Sequence, residues 1–117
     1  MGSQNRSLKT DKTFSQDLTA GALSYTSDYS RRGKIESVSV KATVNITETI
    51  TVTLKSKNGS AYDIVLAEFD MLAERDFMFR PQGELNLQDG DEILVECTQA
   101  NVTGTVSGSI KASEMLK

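Results

Sequence analysis

Apolar residues recur at every second position through much of this chain. Val38, Val40 and Ala42 alternate with Ser37, Ser39 and Lys41, and Ile50, Val52 and Leu54 alternate with threonines and Lys55. Phe77 and Phe79, Leu85 and Leu87, then Ile93, Val95 and Cys97 repeat the spacing. A period of two places these side chains on one face of a pleated strand. Gly, Asp, Asn and Pro punctuate the runs, as turns require. About eight strands with turns roughly every eight to twelve residues predict an all-β domain, a small antiparallel β-sandwich. A jelly roll is among the arrangements open to it.

Register is predicted at two turns. A three-residue loop at Lys57-Asn58-Gly59 pairs Leu54 with Tyr62, Val52 with Ile64 and Ile50 with Leu66. A two-residue Asn58-Gly59 loop instead sets Leu54 against Asp63, mixing apolar and charged side chains on one face. A similar loop at Pro81-Gln82-Gly83 pairs Phe79 with Leu85 and Phe77 with Leu87. Gly59 and Gly83 are expected at positive φ. These two tight hairpins count against a pure jelly roll, whose consecutive strands mostly change sheets. Ile35 falls out of phase with Val38, which predicts a bulge or an entry bend. Glycines 104 and 108 in the last strand, expected over 103–111, predict close packing or bending. A connection from Glu68 to Asp76 is expected to carry one helical turn around Met71-Leu72-Ala73. The predicted core is Val38, Val40, Val52, Leu54, Ile64, Leu66, Phe77, Phe79, Leu85, Leu87, Ile93, Val95 and Ile110.

Residues 1–12 are polar, with Leu8 their one large apolar residue after Met1. They are expected to form a flexible N-terminal arm, and residues 13–117 a single β-sandwich domain. The chain of 117 residues is long enough for one core. No apolar run is long enough to span a membrane as a helix, and residues 1–12 lack a signal-peptide core. The formal net charge of −3, with Arg31-Arg32-Gly33-Lys34 as the one basic cluster, makes nucleic acid a poor partner.

The search for chemistry returns little. The chain has no histidine, which removes the usual general base and the commonest metal ligand. The single Cys97, at an inward strand position, allows no intrachain disulfide and no structural zinc site. No nucleophile elbow or nucleotide-binding glycine pattern is present. Asp89-Gly90-Asp91-Glu92 has the carboxylates of a weak calcium loop without its spacing, and reads more simply as a tight turn. Glu68, Asp70, Glu74 and Asp76 offer paired carboxylates for glycoside cleavage, as any acidic loop does, with no tryptophan to stack a sugar. Tyr25, Tyr29 and Arg31 offer an exposed binding patch, or else a strand end with one buried tyrosine. An enzyme is therefore the least favoured class, and no cofactor is expected.

The run Leu54-x-Ser56-x-x-Gly59-x-x-Tyr62-Asp63-x-Val65-Leu66 is followed by Asp70-Met71. Then comes Phe79-x-Pro81-x-Gly83-x-Leu85-x-Leu87-x-x-Gly90-Asp91. Together they resemble small proteins encoded in the structural-gene regions of tailed bacteriophages, over about Val38 to Ile110. The chain departs from that pattern at Phe79, where another aromatic such as tryptophan is expected, and in its polar arm. The resemblance implies a β-sandwich capsid decoration, or cement, protein on the outer surface of a virion, made in the host cytoplasm. Its partner would be the major capsid protein of the same virus, with a homo-oligomer or lattice-imposed multimer and neither nucleic acid nor membrane involved. Leu8, Tyr25, Tyr29, Arg31 and Arg32 are the candidate partner-binding residues. The rival reading is a carbohydrate- or receptor-binding β-sandwich module of a phage tail.

Overall fold

The computed structural model of the chain describes residues 6–46, 48–71, 74–83, 85–97 and 104–116. These fold into nine strand segments: β1 (Arg6–Asp17), β2 (Leu23–Asp28), β3 (Gly33–Ile46), β4 (Thr49–Lys55), β5 (Ile64–Asp70), β6 (Glu74–Phe79), β7 (Leu85–Leu87), β8 (Glu92–Cys97) and β9 (Thr105–Leu116). One sheet runs β1-β9-β3-β6, with β7 also on β3, and the other runs β2-β8-β4-β5. Every ladder is antiparallel.

β6 and β7 both pair with β3, Phe79 meeting Val38 and Leu85 meeting Ile35. They continue one strand position on β3, broken around Pro81–Gly83, so the described residues form eight strands in two sheets of four. The predicted Phe79–Leu85 hairpin does not form. Its residue phase is the same whether the chain folds back or continues straight, because 77, 79, 85 and 87 share a parity. Gly83 does take positive φ, at 81°, here to bulge the chain out of line and not to reverse it. With that hairpin gone, consecutive strands change sheets everywhere except at β4–β5 and within the β6–β7 pair. The order is the connectivity of a jelly roll.

The β4–β5 hairpin forms in a different register. Leu54 meets Ile64, Val52 meets Ala67 and Ile50 meets Phe69. Ser60–Tyr62 form a single 3-10 turn, which takes Tyr62 out of the strand. Asp63 closes this loop by accepting the Ser56 amide at 2.9 Å. Leu66 is then the extra residue of a bulge between the Val52 and Thr53 pairings. Gly59 has the expected positive φ, at 118°.

Residues 6–12, expected in the flexible arm, lie in β1 and pair with β9 from Arg6 opposite Leu116 onward. Backbone pairing along a long partner strand outweighs their polar side chains, since every second one can face water. Met1 to Asn5 lie outside the described residues, as do Leu72 and Ala73 of the predicted helical turn. β5 extends to Asp70 and β6 begins at Glu74, so the connection is shorter than expected. The out-of-phase Ile35 lies at the predicted bulge, where the β3–β9 register shifts between Ile35 and Ser37.

The core lies between the sheets. Val38, Val40, Val52, Leu54, Leu87, Ile93, Val95 and Ile110 are buried as expected, joined by Leu18, Ile46, Ile50, Met71 and Val106. Five expected core residues depart from this. Ile64 is exposed, and Leu66, Phe77, Phe79 and Leu85 are only half-buried.

Candidate binding surface

These five residues all sit on β5, β6 and β7, which end the two sheets on the same side of the sandwich. Val40 and Phe77 are paired, as are Val38 and Phe79, so both phenylalanines take the inward phase of β3. Ile64 and Phe69 take the inward phase of β4, opposite Leu54 and Ile50. The Phe69 and Phe77 rings stack across the gap between sheets, 4.9 Å apart and 20° from parallel. Beyond that stack no further described strand closes the side, and inward-phase residues meet solvent. Inward-phase Ile64 is 54 % exposed and Phe69 38 %, and beside them, off that phase, Tyr62 is 64 %, Val65 60 % and Met78 53 % exposed. Isolated exposed apolar residues are ordinary, whereas several on neighbouring end strands of both sheets mark a candidate contact surface.

The alternation had a signal for this surface. Ile64-Val65-Leu66-Ala67 and Phe77-Met78-Phe79 are unbroken apolar runs, where a strand with one face in water would alternate. Near β7, Lys34, Ile35, Glu36, Pro81 and Gly83 line an open depression of about 240 Å³.

The sequence-derived candidates differ in their exposure. Leu8 is exposed on β1, opposite Glu114. Tyr25 is half-buried, its ring stacked on Phe14 at 5.1 Å. Tyr29 is only 1 % exposed and offers no surface. Its amide donates to the Asp91 carbonyl at 3.0 Å and its carbonyl accepts the Gly90 amide at 2.7 Å. Lys12 Nζ sits 4.3 Å from its ring centroid, a cation–π contact. Burial pushes the Tyr29 hydroxyl up to about 12. Of the pair Arg31 and Arg32, both exposed, Arg32 is tied by its backbone, whose carbonyl accepts the Met115 amide.

The acidic turn is architectural. Asp91 is buried, with Oδ1 accepting the Lys57 amide and Oδ2 the Gln88 amide, each at 3.0 Å. Asp89 pairs with Lys57 Nζ at 3.2 Å, and this ammonium holds its carboxyl below the usual range. Among the described residues no group of three His, Cys, Asp or Glu side chains is placed to hold a metal. Glu92 stands opposite Asp28 on β2 and Lys55 on β4. A hydrogen bond to Asp28 holds the Glu92 carboxyl above its ordinary range.

No family model matches the chain, and no curated protein is similar to it. Among solved structures, the chain is similar to that of infectious bursal disease virus, Gx strain, at 12 % identity and a TM-score of 0.42. The similarity covers 96 % of this chain and 38 % of that one, so this chain spans well under half of its neighbour's length.

Proposed function

We propose that this protein is a structural virion component. In this reading it is a decoration protein that seats its β5–β6–β7 side on the outside of a bacteriophage shell and bridges neighbouring major capsid subunits. The observation that carries the reading is the exposed apolar side itself. Inward-phase residues of both sheets, among them Ile64, Phe69 and Phe77, stop at solvent where a partner would continue the core. The spacing shared with small phage structural proteins directs that contact to a capsid lattice. Jelly rolls recur in capsid and lectin domains, and this architecture suits the role.

The mechanism is mechanical and needs no catalysis. A rigid two-sheet domain touching more than one subunit gains from each contact, because the first raises the effective concentration of the next. Many copies would then resist internal pressure on the shell.

The test is add-back. Purified protein mixed with particles lacking it should saturate at a symmetry-defined number of copies and raise the temperature at which the particles open. Particles that neither bind it nor gain stability rule out the decoration role. Binding confined to tails would favour a receptor-binding module.

A further inference from the structure

The four strands at the sheet ends are not alike. β1 carries Lys9, Asp11 and Lys12, β6 carries Arg75 and Asp76, and β2 alternates Ser24, Thr26 and Asp28 with its inward residues. Charged and polar side chains of this kind keep an open strand edge from recruiting another chain. β5 has no charged side chain over Ile64-Val65-Leu66-Ala67, where the Leu66 bulge is the one interruption, and Ile64 and Val65 are both more than half exposed. Its charge is confined to the flanks. Asp63 precedes the run, already engaged by the Ser56 amide and by Lys55 Nζ at 3.4 Å. Glu68 follows it, exposed on the outward phase opposite Thr51.

We infer that the outer edge of β5 is a strand-addition site. Its occupant is an extended apolar segment of another protein, carrying a basic residue at the end that meets Glu68. Main-chain hydrogen bonds to the open edge would supply attraction, and the flanking carboxylate would set orientation and choice.

Charge argues against a second copy of this chain as the occupant. Two β5 strands pairing antiparallel with apolar on apolar put Ile64 opposite Ala67 and Val65 opposite Leu66. The same register sets each Glu68 against the Asp63 of the other copy, whose cation is already in use. Like charges directly opposed across strands are destabilising. Sliding by one residue about Val65 or Leu66 relieves this but sets charged residues against apolar ones. A foreign segment with a base at that position meets neither penalty. The proposal shares its surface with the capsid reading, but its test uses no particle, so either can fail alone.

The probe is a peptide alternating valine and threonine with lysine at both ends, beside a counterpart ending in glutamates, each titrated into the isotope-labelled full chain. The lysine peptide should shift the amides of Ile64 to Ala67 and newly protect from exchange those among them that point away from β4. It should bind at least tenfold more tightly than the glutamate peptide at low salt. Val65→Lys, at an exposed position, should weaken it at least tenfold and keep the amide spectrum of a folded protein. Leu8→Lys on β1, also an exposed apolar position, should change nothing. Equal binding of both peptides, shifts centred on another strand, or no binding at millimolar peptide would overturn the inference. So would a concentration-dependent dimer of the chain that Val65→Lys abolishes, since the edge would then be a self-contact.

Discussion

At Gly108 an added Cβ would lie 2.0 Å from the Ser39 carbonyl oxygen and 2.7 Å from Cζ of Phe14. β9 lies between β1 and β3, so neither neighbour can withdraw without opening a ladder. Gly108→Ala should cost about 3 kcal/mol, the upper end for overpacking, read from the urea midpoint at constant slope. Gly83→Ala meets open space, and only its φ of 81° is strained, so about 1 kcal/mol is expected there. Equal costs would contradict the close approach at Gly108. Cys97 tests the core differently. Burial, then the nearby Glu48, pushes its thiol from 9.0 up to about 11, while Tyr29 rises from 10.0 to about 12. Both groups keep their protons in the folded chain after the unfolded chain has lost them. Their contribution is therefore complete below pH 9 and is lost as pH rises from 9 to 12. Melting temperature followed by circular dichroism should fall across that window, and Cys97→Ala should flatten the part between 9 and 11.

Among the elements, β1 and the β6–β7 pair separate what composition implies from what pairing does. Over Leu8–Lys12 β1 brings backbone pairing and one half-exposed apolar residue, so its polarity resembled a free arm. Deleting residues 1–12 removes partners from Ile110 to Leu116 on β9 and the Lys12 contact to Tyr29. The truncated protein should melt at least about 5 °C lower, equivalent to roughly 1 kcal/mol in a chain of this size. An unchanged melting temperature would mean that this half of β1 adds nothing to stability. For β6 and β7, nuclear Overhauser contacts should link Phe79 to Val38 and Leu85 to Ile35, with none between the Phe79 and Leu85 backbones.

At the scale of the molecule, the described residues close the two sheets with buried aliphatics in the middle and leave them open along β5, β6 and β7. Folding and binding should therefore respond to different substitutions. Ile93→Ala, at a fully buried position, should cost about 2–5 kcal/mol. Tyr62→Ser with Met78→Ser, both more than half exposed, should change stability by about 1 kcal/mol or less. Under the capsid reading the same pair should weaken attachment to particles. A stability loss comparable to that of Ile93→Ala would place these residues in the folding core instead.

The period-two alternation by itself determined that the chain is all β, which face of β3, β4 and β8 is buried, and that Ile35 breaks phase. These properties depend on neighbours along the chain, where side-chain direction follows directly from residue parity. Parity cannot tell a strand that turns back from one that continues, so tertiary structure alone decided that Pro81–Gly83 is an interruption and that the connectivity is a jelly roll. It also decided the β4–β5 register, through the Tyr62 turn and the Leu66 bulge, and drew the polar β1 into the sheet. The binding surface followed from the same difference. Ile64, Phe77 and Phe79 have the inward phase of core residues, and only the place of their strands at the sheet ends leaves them in contact with solvent.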